Sequence, residues 1–307
     1  MNWFSEAFAA VQQQLFEVVA PWLYQWGMGN LLEDAYAAST WLLVGLIQIA
    51  VLLLVIGPLQ RWRPAEPVTD HATIRTDVIY TLIHRLGLFR VALFFTLEPM
   101  FNSGFGFLRT AGVGTFHLDQ VWPGLTDGAV ASFLIYLLAL DLAAYWLHRG
   151  QHRIGIWWRL HSLHHSQRQM TMWSDNRNHL VDDVLVSVLL VLLSQLIGVA
   201  PEQFVAIVAL TQLSESLQHA NVRLSFGRIG ERLWVSPLFH RVHHSVHSGD
   251  CNYGVLLPWW DQLFGTANFQ THYDPTGVND SQKAMIDDGP GLWSQQWRGL
   301  KRLLGYA

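Results

Sequence analysis

The 307-residue chain is short of charge and almost without cysteine. Asp, Glu, Lys and Arg make up only 14% of it, against 51% apolar residues, and the mean hydropathy is +0.20. Ordinary soluble domains carry roughly 25% charge, so that class is excluded. The single cysteine, Cys251, excludes an internal disulfide and a cysteine-ligated iron–sulfur cluster. Residues 1–60 contain no Lys or Arg. The chain has no Cys-x-x-Cys, no His-Pro-Gly-Gly and no H-E-x-x-H, the last being the motif that seats a general base on a zinc-binding helix. The glycine-rich "GFGFLRTAGVG" (104–114) misses the dinucleotide fingerprint and reads as a loop. A net charge of −4 carries no signal for nucleic acid. No solenoid repeat, coiled coil or low-complexity tract is visible.

Long apolar runs take the place of charge. Roughly 20 apolar residues span a bilayer as a helix, and 40–59 and 129–147 qualify, the second carrying one acid, Asp141. Segments 184–200 and 203–219 suggest a hairpin turned at Pro201. Segment 78–101 is a weaker candidate because it holds Arg85, Arg90 and Glu98; a surface amphipathic helix is the alternative. At the N-terminus, Phe4, Phe8, Val11, Leu15, Val19, Trp22 and Trp26 recur at helical spacing, as in an amphipathic helix lying on a membrane. That segment lacks the basic start and unbroken apolar core of a signal peptide.

The basic residues test this layout. Three lie in 61–77, five in 148–182 and eight in 220–307, while the 102–128 loop has only Arg109. Five spans with the N-terminus outside place nearly all of them on the cytoplasmic face, as the positive-inside rule requires.

Fifteen histidines remain. His148 and His152 stand at i and i+4. His161, His164 and His165 in "HSLHHSQ" stand at i, i+3 and i+4, and His240, His243 and His244 in "HRVHHSV" repeat that spacing. Each set shares one helix face, which suits chelation, and neutral imidazole ligates Fe, Zn, Cu or Ni well. Interfacial histidines capping helices are the bland alternative. With His179 and His219 there are ten imidazoles on one predicted face. At four to six ligands each they imply two metals with an almost all-nitrogen set of ligands. Asp141 and Glu215 lie two turns and one turn before His148 and His219. Each is a candidate to hold a ligating ring through its other nitrogen, with a structural bond to Arg or to backbone as the alternative.

"DLAAYWLHRGQH" (141–152), "WRLHSLHH" (158–165) and "SPLFHRVHH" (236–244) resemble the fatty acid hydroxylase superfamily, which includes sterol desaturases and sterol methyl oxidases. "QHAN" (218–221), "NYG" (252–254) and "WWDQLFGT" (259–266) extend the resemblance over about 130–266. One departure is Leu180 after His179, where the family commonly has Pro. His247 is a marginal further ligand, and His71, His84, His117 and His272 fall outside the motifs.

The resemblance implies an all-α integral membrane protein: about four to five transmembrane helices with a cytoplasmic histidine-rich cap holding two iron ions. Zinc is a possible substitute in purified protein. The chain then divides into an outer amphipathic segment (1–39), a transmembrane hairpin and outer loop (40–128), a catalytic domain (129–270) and a cytoplasmic tail (271–307). The implied chemistry is O2-dependent hydroxylation or desaturation of a lipid or sterol-like C–H bond, carried by the histidine boxes. Because the chain has no redox motif of its own, an external cytochrome, ferredoxin or flavoprotein must supply electrons. The absence of a retention tail favours a bacterial inner membrane over endoplasmic reticulum. A zinc-dependent membrane hydrolase and a metal carrier or transporter are the competing classes.

Overall fold

The computed structural model describes residues 2–248, 250–278 and 289–306. Among them the secondary structure is helical, with one isolated bridge between Ser245 and Thr276 and no strand.

Helix α1 (Asn2–Gln25) packs on α2 (Leu32–Val51). It turns a polar side inward: Gln12 is buried and donates to the Thr40 hydroxyl (2.8 Å) and the Tyr36 carbonyl (3.1 Å). Phe4, Val11, Trp22 and Trp26 are exposed. This inside-out arrangement suits an apolar surrounding rather than water.

Helix α2 runs through a π-helical turn, Leu52–Ile56, into α3 (Gly57–Trp62). Pro58 lacks an N–H, and the wide turn just before it is a usual way to absorb that break. Leu52 and Ile56 pack there on Met172, Ala220 and Val222. Helix α4 (His71–Arg85) crosses α2 closely: a Cβ at Gly45 would overlap the Arg85 carbonyl, so only glycine fits.

Four helical stretches are long and apolar enough to cross a membrane: Gly29–Trp62, Leu88–Thr110, Ala129–Arg153 and Leu180–Ile197. The first, third and fourth match the sequence expectation. The expected weak span 78–101 does not form as one helix. Gly87, at φ +79°, ends α4, and the apolar stretch restarts as α5 (Leu88–Thr96) and α6 (Glu98–Thr110). Arg85 consequently leaves the span for a buried ion pair with Asp175 (2.7 Å), joined by Ser216 and Gln48. Much of the glycine-rich 104–114, expected as loop, is the end of α6.

Helices α7 (Ala129–Arg153), α9 (Leu180–Ile197) and α10 (Pro201–His219) form the core with Leu256 and Leu257. The α9–α10 turn lies at one end of the bundle, where Tyr136 donates to the Gly198 carbonyl (3.0 Å). Helix α10 carries Glu202, Gln203, Gln212, Glu215 and Gln218 and is not among the four candidate spans. Short helices gather at the other end: α8 (Gly155–His165), α11 (Gly227–Gly230), α12 (Pro237–His243) and α13 (Trp259–Phe264). Within the C-terminal segment, α14 (Gly291–Leu304) docks on α8 and α4.

Candidate metal centre

Four elements deliver the histidines to one place. The last two turns of α7 carry His148 and His152, and α8 carries His161, His164 and His165. Helix α10 ends on His219, and α12 holds His240 and His243 with His244 as its C-cap. The start of α12 is fixed by Ser236, which accepts from the Phe239 N–H (3.0 Å) ahead of Pro237 at the first turn.

These side chains form two groups of four. His148, His152, His165 and His243 make the first, and His164, His219, His240 and His244 the second; within each group the ligand nitrogens lie within 4.8 Å of one another. The Nε2 of His219 is 3.1 Å from that of His164 and 3.1 Å from that of His240. Two nitrogens at right angles on one ion, with bonds of roughly 2.1 Å, would sit about 3.0 Å apart. The groups adjoin, since the rings of His165 and His244 stack at 4.3 Å.

Hydrogen bonds fix which nitrogen is free. His148 Nδ1 meets the Tyr253 carbonyl (2.9 Å), His243 Nδ1 the Cys251 carbonyl (2.7 Å) and His219 Nδ1 the Glu215 carbonyl (2.8 Å). A carbonyl can only accept, so each Nδ1 carries the proton and each Nε2 keeps its lone pair. Nε2 of His152, His161, His165 and His243 is buried without a hydrogen-bond partner, as are both ring nitrogens of His244. Orphaned buried nitrogens are costly, and an ion at their centre would satisfy them together. Burial, reinforced by neighbouring imidazoles, holds His164, His165, His240 and His244 well below the ordinary histidine range. Burial also pushes His243 down to about 3, against the pull of the Cys251 carbonyl. Neutral rings are the form that ligates.

The carbonyls at 251 and 253 are themselves held. Asp261 accepts from the backbone N–H of Tyr253 (2.8 Å) and Gly254 (2.7 Å), and from the Thr266 hydroxyl (2.6 Å). Asn252, at φ +57°, donates to the carbonyls of Phe239 and Asn268. The stretches "NYG" and "WWDQLFGT" thus form the clamp that orients His148 and His243.

Several expected residues stand elsewhere. His179 belongs to neither group. Its Nδ1 accepts from the Val181 N–H (3.2 Å) as the N-cap of α9, so its Nε2 must donate, and the Gln296 carbonyl receives it at 2.9 Å. With both nitrogens used, its ring has no lone pair for an ion. Gly299 packs against it so closely that a Cβ would overlap the ring. Asp141 holds no imidazole. It accepts from the N–H groups of Leu256 (2.9 Å) and Leu257 (3.2 Å) and from Trp260 Nε1 (2.9 Å), tying the same clamp to α7. Glu215 orients His219 through its main-chain carbonyl, not its carboxyl. His161 is outside both groups of four, but its ring lies 5.1–5.4 Å from those of His148, His152, His164 and His165. Its Nδ1 bonds Asp182 (3.1 Å), which sequence reasoning missed. Asp182 also accepts from Gln151 (2.9 Å) and Trp157 (2.6 Å).

Two cavities reach the histidines. One of about 340 Å³ runs down the bundle between Phe89, Leu93, Leu137, Leu190, Phe204 and Ile207 and meets His148, His161, His164, His219 and His240. The other, about 500 Å³, is polar and meets His152 and His165 between Trp158, Ser245, His247, Asp250 and Asn268. His247 lines this second cavity without joining either group.

Residues 133–266 match the family model described as fatty acid hydroxylase. The chain is 29% identical over 216 residues to an ornithine lipid hydroxylase, OlsE, of Rhizobium tropici, covering 69% of this chain and 63% of that protein. It is 26% identical over 208 residues to a Delta(7)-sterol 5(6)-desaturase, erg3C, of Aspergillus fumigatus, covering 61% and 62%. Identity to the alkylglycerol monooxygenase of Caenorhabditis elegans is 26% over 146 residues, 47% of this chain and 28% of that protein. The chain thus spans less than two thirds of each of these relatives. No solved structure matches. The segment that matches the family model, 133–266, holds both histidine groups and their clamp.

Proposed function

We propose that this protein is an O2-dependent oxidoreductase that hydroxylates or desaturates a C–H bond of a membrane lipid or sterol-like substrate at a histidine-held pair of iron ions. The observation that carries the reading is the meeting of two four-histidine groups with one apolar cavity inside a membrane-type bundle. The relatives' names point the same way: a lipid hydroxylase, a monooxygenase and a sterol desaturase.

His148, His152, His165 and His243 would hold one ion, and His164, His219, His240 and His244 the other. His161 Nε2, orphaned between them, is the natural fifth ligand of either. Bound iron supplies the redox capacity that side chains lack for breaking an unactivated C–H bond. The residues supply the rest. Carbonyls at 215, 251 and 253 and the Asp182 carboxylate hold ring orientation and protonation. The apolar wall takes up the lipid chain and excludes water from the reacting carbon. Two electrons come from a separate cytochrome, ferredoxin or flavoprotein.

The histidine end of the bundle is assigned to the cytoplasmic face, because Arg61, Arg63, Arg149, Arg153, Arg159 and Arg223 collect there. In a bacterium this is the inner membrane.

Mass spectrometry of lipid extracts from cells with and without the gene tests the reading. A lipid gaining one oxygen, or losing two hydrogens, only when the gene is present is the expected result. Unchanged lipids with an intact metal-loaded protein, or a hydrolysed product, would contradict it.

A further inference from the structure

The cavity that meets the histidines is also lined by four acids, and three of them have a partner within the fold. Asp141 has three N–H donors from 256, 257 and Trp260. Asp175 has Arg85, Ser216 and Asn176, and Asp183 has His84 at 3.2 Å. The carboxyl of Glu215 has no hydrogen bond or ion pair with any described residue, although the residue lines the cavity and is half-buried. Its main chain is fixed, since its carbonyl holds His219. One helical turn separates the two residues, so their Cα atoms stand roughly 6 Å apart along α10. It is not a member of either four-histidine group.

An acid left without a donor in a largely enclosed, mostly apolar cavity is costly unless a ligand completes it. Ligand pockets of this kind are mostly apolar, with a few polar groups that fix orientation. Resting on the lipid-oxidation reading above, we infer that Glu215 is the substrate-orienting group. It accepts a hydrogen bond from a donor on the lipid, a hydroxyl, amide N–H or ammonium, carried a few bonds from the carbon that faces the histidines. The substrate class is therefore a lipid with a donor close to the oxidised position, not a plain hydrocarbon or an ether-capped chain.

The test compares dodecanol with dodecyl methyl ether, which differ only in the donor. Binding is measured by titration calorimetry on the zinc-loaded full chain in detergent micelles. A hydrogen bond from the alcohol to the Glu215 carboxyl predicts that the wild type binds dodecanol about tenfold more tightly than the ether. In Glu215→Leu the two should bind alike, and in Glu215→Gln the preference should shrink. Both variants should retain the wild-type metal content. Equal binding of the two probes by the wild type would mean that water alone solvates Glu215, and it would overturn the inference. So would a preference that survives in Glu215→Leu, or a loss of metal in both variants, which would assign the carboxyl to the ions. The titration needs no turnover, so failure of the oxidation reading would leave the result standing, and failure of the inference would leave oxidation untouched.

Discussion

The two histidine groups have the same composition and different surroundings. The first, His148, His152, His165 and His243, is oriented from outside its own helices: two of its rings lean on carbonyls of the 251–254 clamp. Its His152 and His165 open on the polar cavity. The second, His164, His219, His240 and His244, is oriented from within, through the α10 carbonyl at 215. Its His164, His219 and His240 open on the apolar cavity. Of the first group only His148 also reaches the apolar cavity, so on the proposed reading a lipid chain would approach chiefly the second group, while the first faces mainly the polar side.

Separate ablation breaks the comparison most sharply. His243→Ala and His219→Ala should each lower metal from about two ions per chain to about one, and each should abolish lipid oxidation. Metal analysis beside an activity assay checks both. Retention of two ions in both variants would remove the groups from the account.

The clamp should matter to one group only. Asp261→Ala removes the acceptor for two backbone N–H groups and frees the carbonyls that hold His148 and His243. Outer partners of metal-bound histidines are worth roughly 10–100-fold in affinity. Competition with a chelator should show that loss for one ion and no change for the other.

Much of this site could be read in the chain before any fold was known. The i, i+3, i+4 spacing puts three imidazoles on one face over a single helical turn, so local geometry suffices. The spans at 40–59 and 129–147 were readable for the same reason. What holds the rings was not. The partners of His148 and His243 are main-chain carbonyls, which every residue possesses, and for His148 the partner is 105 residues away. Asp182 stands three residues after His179, and only the meeting of α9 with α7 and α8 shows which of the two serves the site. The break at 86–87 was hidden because hydropathy averaged over a window passes through a single glycine.

Protonation gives a smaller, graded effect. Burial holds His164, His165, His240 and His244 well below the ordinary histidine range when folded, with His243 near 3 against an ordinary 6.5. The unfolded chain therefore binds more protons between these values. The contribution of these rings to the stability of the metal-free protein should be flat above about 6.5 and fall steadily as pH drops below it. Denaturation midpoints across that range check the sign; a midpoint that rises on acidification would contradict it.

The smallest effect separates His179 from the ten. His179→Ala removes the N-cap of α9 and one bond to α14, a loss of about 1–2 kcal/mol. Metal content and product should be unchanged, as thermal unfolding and metal analysis would register.

The most direct measurement is the origin of the product's oxygen. The protein, reconstituted with reduced iron, an external reductase and lipid, is supplied with isotopically heavy O2 in ordinary water. The account predicts a hydroxylated lipid carrying the heavy atom, or an unlabelled desaturated lipid formed only when O2 and electrons are present. Label arriving from heavy water instead, or turnover under argon without a reductant, would contradict it and assign the two histidine groups to a hydrolytic metal.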